Sequence, residues 1–421
     1  MKLPAYPRYK PSGVEWLGDV PVHWEVKRLK MAARLTDKKV EADEDNPVPY
    51  IGMENIESWT GRLLPINPDV VPTGSANAFK ASHTLFGKLR PYLAKACNPE
   101  FDGLCSTELL VLKGVEFDRK ALLFALLSDG FIKLVDSSTY GSKMPRASWD
   151  FIGNCVLPVA PPAEQQAIAA FLDRETGRVD RLVAKKRELI ERLQEKRTAL
   201  ISCTVTRGLP PAAARAAGFP ENPPLKPSGL DWLGDIPKHW EVKQLKWAVM
   251  FQRGHDLPTD EREEGEVPLV TSAGVSATHS RAAAKGPGIV TGRYGTIGEF
   301  YFVDCDYWPL NTTLYSINLR GNDPRFLVYL LRHLSPLFLL NAVKSAVPGV
   351  DRNDIHPTMT VVPPLPEQAA IAAYLDLETA KLDALVGKVE EAVERLQEYR
   401  TALITAAVTG KIDVRNTAKL V

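Results

Sequence analysis

Cysteine is scarce in this 421-residue sequence. Cys97, Cys105, Cys155, Cys203 and Cys305 are odd in number, widely spaced and free of any C-x-x-C, so neither a disulfide framework nor a cysteine zinc site is expected. They read as reduced, intracellular thiols. Long apolar runs are missing as well. The most apolar stretch, Phe326 to Val343, is broken by Arg332, His333 and Pro336, and the opening MKLPAYPRYKPSG lacks the apolar centre of a signal peptide. A cytoplasmic protein with no membrane span is expected. Net charge is nearly absent at +1, which excludes nothing, because nucleic-acid binding depends on where Lys and Arg cluster and not on their sum.

Enzymatic signatures are also lacking. No G-x-x-x-x-G-K-[ST] loop for ATP, no H-E-x-x-H and no paired Cys/His ligand set occurs, and no Ser-His-Asp pattern can be placed. Asn222-Pro223-Pro224-Leu225 superficially resembles the N-P-P-aromatic motif of adenine methyltransferases. Leucine stands where an aromatic residue is needed, the surroundings are a Pro-rich linker, and no strand-glycine-helix cofactor fingerprint accompanies it. No catalytic residue and no cofactor or metal on this chain is expected.

What the sequence does contain is a tandem duplication. Residues 9–30, YKPSGVEWLGDVPVHWEVKRLK, return as 225–246, LKPSGLDWLGDIPKHWEVKQLK, with 16 of 22 positions identical. Residues 164–206 return as 367–409 with 27 of 43 identical. The intervening stretches, 31–163 and 247–366, resemble each other only faintly. Each half is therefore a constant start, a divergent middle and a constant end, a plan that suggests two different specificities on one frame.

The constant ends are expected to be long helices. Ile168, Leu172, Val179, Leu182, Leu189, Leu193 and Leu200 follow a three-four spacing, with Glu175, Lys186 and Lys196 filling skipped positions, and Ile371, Leu375, Leu382, Leu385, Val389, Leu396 and Leu403 repeat it. Pro161, Pro162 and Pro366 act as start signals. An apolar seam needs a partner, and each copy is the obvious partner of the other, running antiparallel under a pseudo-two-fold. Roughly 36 residues at 1.5 Å each make a rod of about 54 Å; at 3.4 Å per base pair that bounds a half-site separation below roughly 16 base pairs. A homo-oligomeric coiled coil is the alternative use of such seams.

Each middle reads as a small α+β domain. The first has strand-like segments at 48–53, 84–89, 107–113 and 151–159 with a helix near 118–135; the second has them at 267–272, 288–303 and 312–319 with a helix from Pro324 to about Val343.

Each middle also carries a glycine-aromatic turn with a basic residue: Gly87-Lys88-Leu89-Arg90-Pro91-Tyr92, and Gly292-Arg293-Tyr294-Gly295-Thr296-Ile297-Gly298. Glycine allows close backbone approach, and Arg or Lys can pair with phosphate or guanine. Lys143, Met144, Pro145 and Arg146, and Arg352 with Asn353, lie just before the last strand. Asn can address adenine and Arg guanine, although such residues can equally contact phosphate alone, or sit as solvated cations on structural turns. Trp16, Trp24, Trp232, Trp240, His23 and His239 are identical between halves and so are expected to pack the frame, since residues setting different specificities should differ.

PSGVEWLGDVPVHWEVKRLK with its repeat, GKLRPYLAK with GRYGTIG, and the P-P-A-E-Q-Q and P-P-L-P-E-Q helix openings together resemble the specificity subunits of type I restriction-modification systems, over nearly the whole chain. The resemblance implies a non-catalytic subunit with target recognition domains at 1–160 and 210–363, the latter including a linker, and long helices at 161–209 and 364–421, the latter with a tail. It implies double-stranded DNA as ligand, each domain addressing half of a bipartite site. It further implies two modification subunits using S-adenosylmethionine, and restriction subunits using ATP and Mg. Lys88, Arg90, Tyr92, Arg293, Tyr294 and Thr296 are carried over from the shared turn motifs as DNA-binding candidates. Lys143, Arg146, Arg352 and Asn353 are added from the residues themselves. A protein-interaction scaffold with a coiled-coil spacer is the alternative.

Overall fold

A computed structural model describes residues 4–36, 38–41, 48–67, 74–342 and 349–415. The chain divides into two compact units, Met1–Arg187 with Glu390–Val421, and Glu188–Val389. The two long helices, Pro162–Arg207 and Leu365–Val408, each contribute one half to either unit.

In the first unit an antiparallel sheet is ordered Ala33–Leu35, Leu109–Gly114, Thr84–Gly87, Ala96–Cys97. Beside it lies a mixed sheet ordered Lys39–Glu41, Ser75–Phe79, Gly103–Cys105, Tyr50–Ile51. The apolar run LLVL at 109–112 is buried throughout, as expected of a central strand covered on both faces. Helices Arg119–Leu126 and Asp129–Ser137 bury Leu122, Leu126 and Phe131 in the core beside Phe86. The sequence suggested one helix across both. The chain breaks at Leu127 and Ser128, and Ser128 Oγ donates back to the Ala125 carbonyl.

The second unit repeats the antiparallel sheet as Met250–Arg253, Thr313–Asn318, Gly288–Gly292, Phe300–Val303. A smaller sheet is ordered Gly274–His279, Val267–Thr271, Trp308–Pro309. One helix, Pro324–Ala342, replaces the pair; Val343 of the expected helix lies outside the described residues.

The repeated starts and ends of each half build the same frame twice. Glu25–Arg28 pairs antiparallel with the returning strand Val156–Val159, and Glu241–Gln244 pairs likewise with Met359–Val362. Gly18 and Gly234 take left-handed conformations, φ +59° and +69°, in the turn between the first two strands of each frame.

The repeated Glu-Gln at each helix start clamps that frame. Glu164 accepts from Trp24 Nε1 at 2.9 Å and meets His23 Nε2 at 2.7 Å; Glu367 accepts from Trp240 Nε1 at 3.0 Å and meets His239 Nε2 at 2.7 Å. Gln165 Nε2 donates to the Ala160 carbonyl and Gln368 Nε2 to that of Pro363, both at 2.8 Å. The opposite ends of the two amides accept the backbone N–H of Asp118 and Asp323. Buried carboxylates and amides are tolerated here because their hydrogen-bonding groups are satisfied. Trp24 and Trp240 thus belong to the frame, as expected, whereas Trp232 remains 44% exposed, tilted against His333.

In the first unit Ile168 and Leu172 share a cluster with Leu403, Ile404, Ala407 and Val408, and further along Asp180 meets Arg400, so the two helix halves run antiparallel. In the second unit Ile201 and Val205 share a cluster with Ile371 and Leu375, and Arg197 meets Asp383, again antiparallel.

The seam follows the sequence reading at Ile168, Leu172, Val179, Leu193, Ile371, Leu375, Val389 and Leu403, all buried, and departs from it at positions between them. Leu182, Leu189 and Leu385 are 41%, 42% and 43% exposed, while Thr176, Val179, Val183 and Leu193 are buried. The three-four steps from Leu172 run through Thr176, whose hydroxyl donates to the Leu172 carbonyl at 2.6 Å. Thr379 does the same to Leu375 at 2.7 Å. A polar residue satisfied within its own helix can sit in the seam, and the sequence reading assigned that position to the neighbouring Glu175 instead.

Candidate nucleic-acid interface

At one end of each antiparallel sheet, a strand runs out into the glycine-aromatic turn and meets the loop preceding the short helix before the last strand. The Lys88 N–H donates to the Glu108 carbonyl at 3.0 Å, and the Lys88 carbonyl accepts from Ala147 N–H at 3.0 Å. Arg293 makes the matching pair, its N–H to Thr312 at 2.8 Å and its carbonyl from Val350 at 2.9 Å. Lys88 and Arg293 therefore occupy equivalent places. Ser148 and Asp351 cap the equivalent short helices Trp149–Ile152 and Arg352–Ile355.

In the first unit all five candidates gather here. Arg90 is exposed in a left-handed conformation, φ +50°, its N–H donating to the Pro145 carbonyl at 2.7 Å and its Nη2 to that of Lys143 at 3.4 Å. Tyr92 is 45% exposed, and its carbonyl accepts from Trp59 Nε1 at 3.2 Å. Lys143 is exposed at the loop tip. Arg146 bridges to Leu89 and Tyr140 through its backbone, and its Nε lies 3.1 Å from each Glu108 carboxylate oxygen. That carboxylate holds the guanidinium above its ordinary pKa, so the cation is fixed and already partnered.

In the second unit the Arg293 guanidinium lies over the Tyr294 ring, 5.1 Å from its centroid, with Nη2 3.7 Å from the Asp351 carboxylate. Its Nε is buried without a hydrogen-bond partner among the described residues. Gly349 packs on the same ring, where a Cβ would come within 2.6 Å of Tyr294. Thr296 projects from the hairpin, and Arg352 with Asn353 form the exposed first turn of their short helix.

Two features escaped the sequence. Arg146 and Arg352 are not counterparts: counting from the matched Ala147 and Val350, Arg146 corresponds to Gly349 and Arg352 to Trp149. The acids Glu108 and Asp351, which orient Arg146 and Arg293, carried no sequence signal, since their partners lie 38 residues away in one case and on a separate loop in the other.

Residues 237–395 match the family model described as the type I restriction modification DNA specificity domain. The chain is 25% identical over 191 residues to the type I restriction enzyme EcoDI specificity subunit of Escherichia coli, covering 43% of this chain and 42% of that protein. It is 25% identical over 249 residues to the MjaVIII specificity subunit of Methanocaldococcus jannaschii, covering 56% and 51%. The matches thus span about half the length of these curated relatives. A chain solved in a study of complex assembly and conformational transition of the type I R-M system superposes with a TM-score of 0.71 at 20% identity, covering 93% of this chain and 99% of that one. Residues 237–395 thus carry a match to the type I restriction modification DNA specificity domain, and the chain, with two α+β domains on paired long helices, is similar to type I restriction enzyme specificity subunits.

Proposed function

We propose that this chain is the DNA-reading, non-catalytic subunit of a type I restriction-modification complex, each unit addressing one half of a bipartite duplex site. The carrying observation is the equivalence of Lys88 and Arg293: one backbone frame presents different side chains at the same place in two domains. A constant frame with altered contacts is what two unlike half-sites require. Lys88, Arg90, Tyr92, Lys143 and Arg146 face one half-site; Arg293, Tyr294, Thr296, Arg352 and Asn353 face the other. The paired helices set the separation and dock two modification subunits. Those subunits bind S-adenosylmethionine and methylate adenine, and restriction subunits supply ATP- and Mg-dependent chemistry in the cytoplasm.

The test is duplex binding by the chain purified with its modification subunit, across a salt series and against unrelated duplex. Binding that weakens steeply with salt and survives unrelated competitor supports sequence reading. Salt-independent binding to a protein partner, with no duplex affinity, contradicts it.

A further inference from the structure

The two halves are not held to their helices in the same way. In both, the β domain is tied near the helix start: Lys120 pairs with Asp173 in the first unit, and Arg325 with Asp376 at 3.2 Å in the second, where Tyr329 also donates to Asp376 at 2.8 Å. Further along each helix pair lies a second repeated ion pair, Asp180 with Arg400 at 2.9 Å and Asp383 with Arg197 at 3.0 Å.

Among the described residues, only the first of these reaches the β domain. Arg400, its side chain 7% exposed, also donates to the carbonyls of Trp59 at 2.7 Å and Thr60 at 2.8 Å. Arg62 closes the ring, its Nη2 lying 3.3 Å from Asp180. The loop it holds is turned at Trp59, a non-glycine residue at φ +65°, a conformation that surrounding contacts must hold in place. Among the described residues the second domain has no counterpart: its strands Val267–Thr271 and Gly274–His279 join by a two-residue turn where the first domain carries the 52–67 segment. Arg197 and Asp383, with side chains 32% and 55% exposed, make no polar bond to the second β domain among the described residues.

We propose that Asp180, Arg400 and Arg62 form a latch that fixes the first recognition domain on the helix pair, making this domain the rigid reference for half-site spacing, while the second domain, among the described residues, makes its polar bonds to the helices near the helix start. The proposal rests on the DNA-recognition reading. These are positioning residues, acting on spacing through the loop at 57–62 and touching no base.

The experiment uses the complex with its modification subunit and duplexes bearing the two half-sites at native spacing or with one base pair inserted or deleted. The ratio of methylation rates, native over altered, is the readout. Asp180→Asn and Arg400→Gln are expected to lower that ratio by about tenfold, while the repeat-matched Asp383→Asn and Arg197→Gln leave it unchanged. An equal fall in both pairs, or no change in either, overturns the latch. If Arg400→Gln does not assemble, Asp180→Asn, which keeps side-chain size, carries the comparison. Hydrogen exchange supplies a second reading: amides of 57–64 are expected to exchange faster in Asp180→Asn than in the wild-type complex, and unchanged exchange there also overturns the latch. Failure of the wild-type complex to methylate any bipartite site sinks the recognition reading instead.

Discussion

Lys88 and Arg293 are the same position in two copies of one fold, each donating its N–H to the turn before the central strand and accepting from the residue before a helix cap. Their side chains differ, and so do the charges beside them. Arg293 is drawn toward Asp351 and Tyr294, whereas among the described residues the acid at the first site, Glu108, is engaged by Arg146.

From that equivalence, Lys88→Ala is expected to relax one half of the recognised sequence and Arg293→Ala the other. Each should cost about 1–3 kcal/mol on the cognate site if the side chain addresses a base. Affinities measured over single-base substitutions in each half-site check this. A loss uniform across all substitutions would assign the residue to phosphate.

The helix seam makes a sharp comparison. Leu193 is 8% exposed and Leu189 42% exposed in the same helix. Leu193→Ala should destabilise by about 2–5 kcal/mol, and Leu189→Ala by no more than about 1 kcal/mol. Denaturant unfolding of the two variants decides it, and equal losses would restore the seam suggested by the leucine spacing.

Two histidines of the second unit give a pH dependence. Burial lowers the pKa of His333, and burial with the nearby Arg352 lowers that of His356, whose Nε2 accepts the Phe251 N–H at 3.0 Å. The unfolded chain therefore takes up these protons first. Stability is full above the ordinary histidine pKa of 6.5, falls as pH drops below it, and levels off once pH passes below the folded values. Thermal unfolding between pH 7.5 and about 5 measures the slope. His356→Gln should flatten it, and a wild-type unfolding temperature insensitive to pH over that window would contradict the account.

The duplication and the two long helices were legible because identity and apolar periodicity are local signals. Gly87-Lys88 and Gly292-Arg293 were legible as turns for the same reason. The seam positions at Thr176 and Thr379 were not, because a polar name hides a buried position there. Short strands such as Ser75–Phe79 and Gly103–Cys105 were not either, and the stretch read as a strand at 151–159 opens in the helix Trp149–Ile152. Nor was the latch: Arg400 and Arg197 look alike in sequence, and only the fold brings the carbonyls of residues 59 and 60 to Arg400, whereas Arg197 meets Asp383 and, among the described residues, no such loop. Ion pairs across hundreds of residues leave no trace in spacing.

The most direct test of the central claim is methylome sequencing of DNA from cells expressing this chain with its modification subunit, beside cells expressing the modification subunit alone. The account predicts a bipartite N6-methyladenine motif that vanishes without this chain. An assembled, active complex that methylates no motif, or one whose motif persists without the chain, would contradict it.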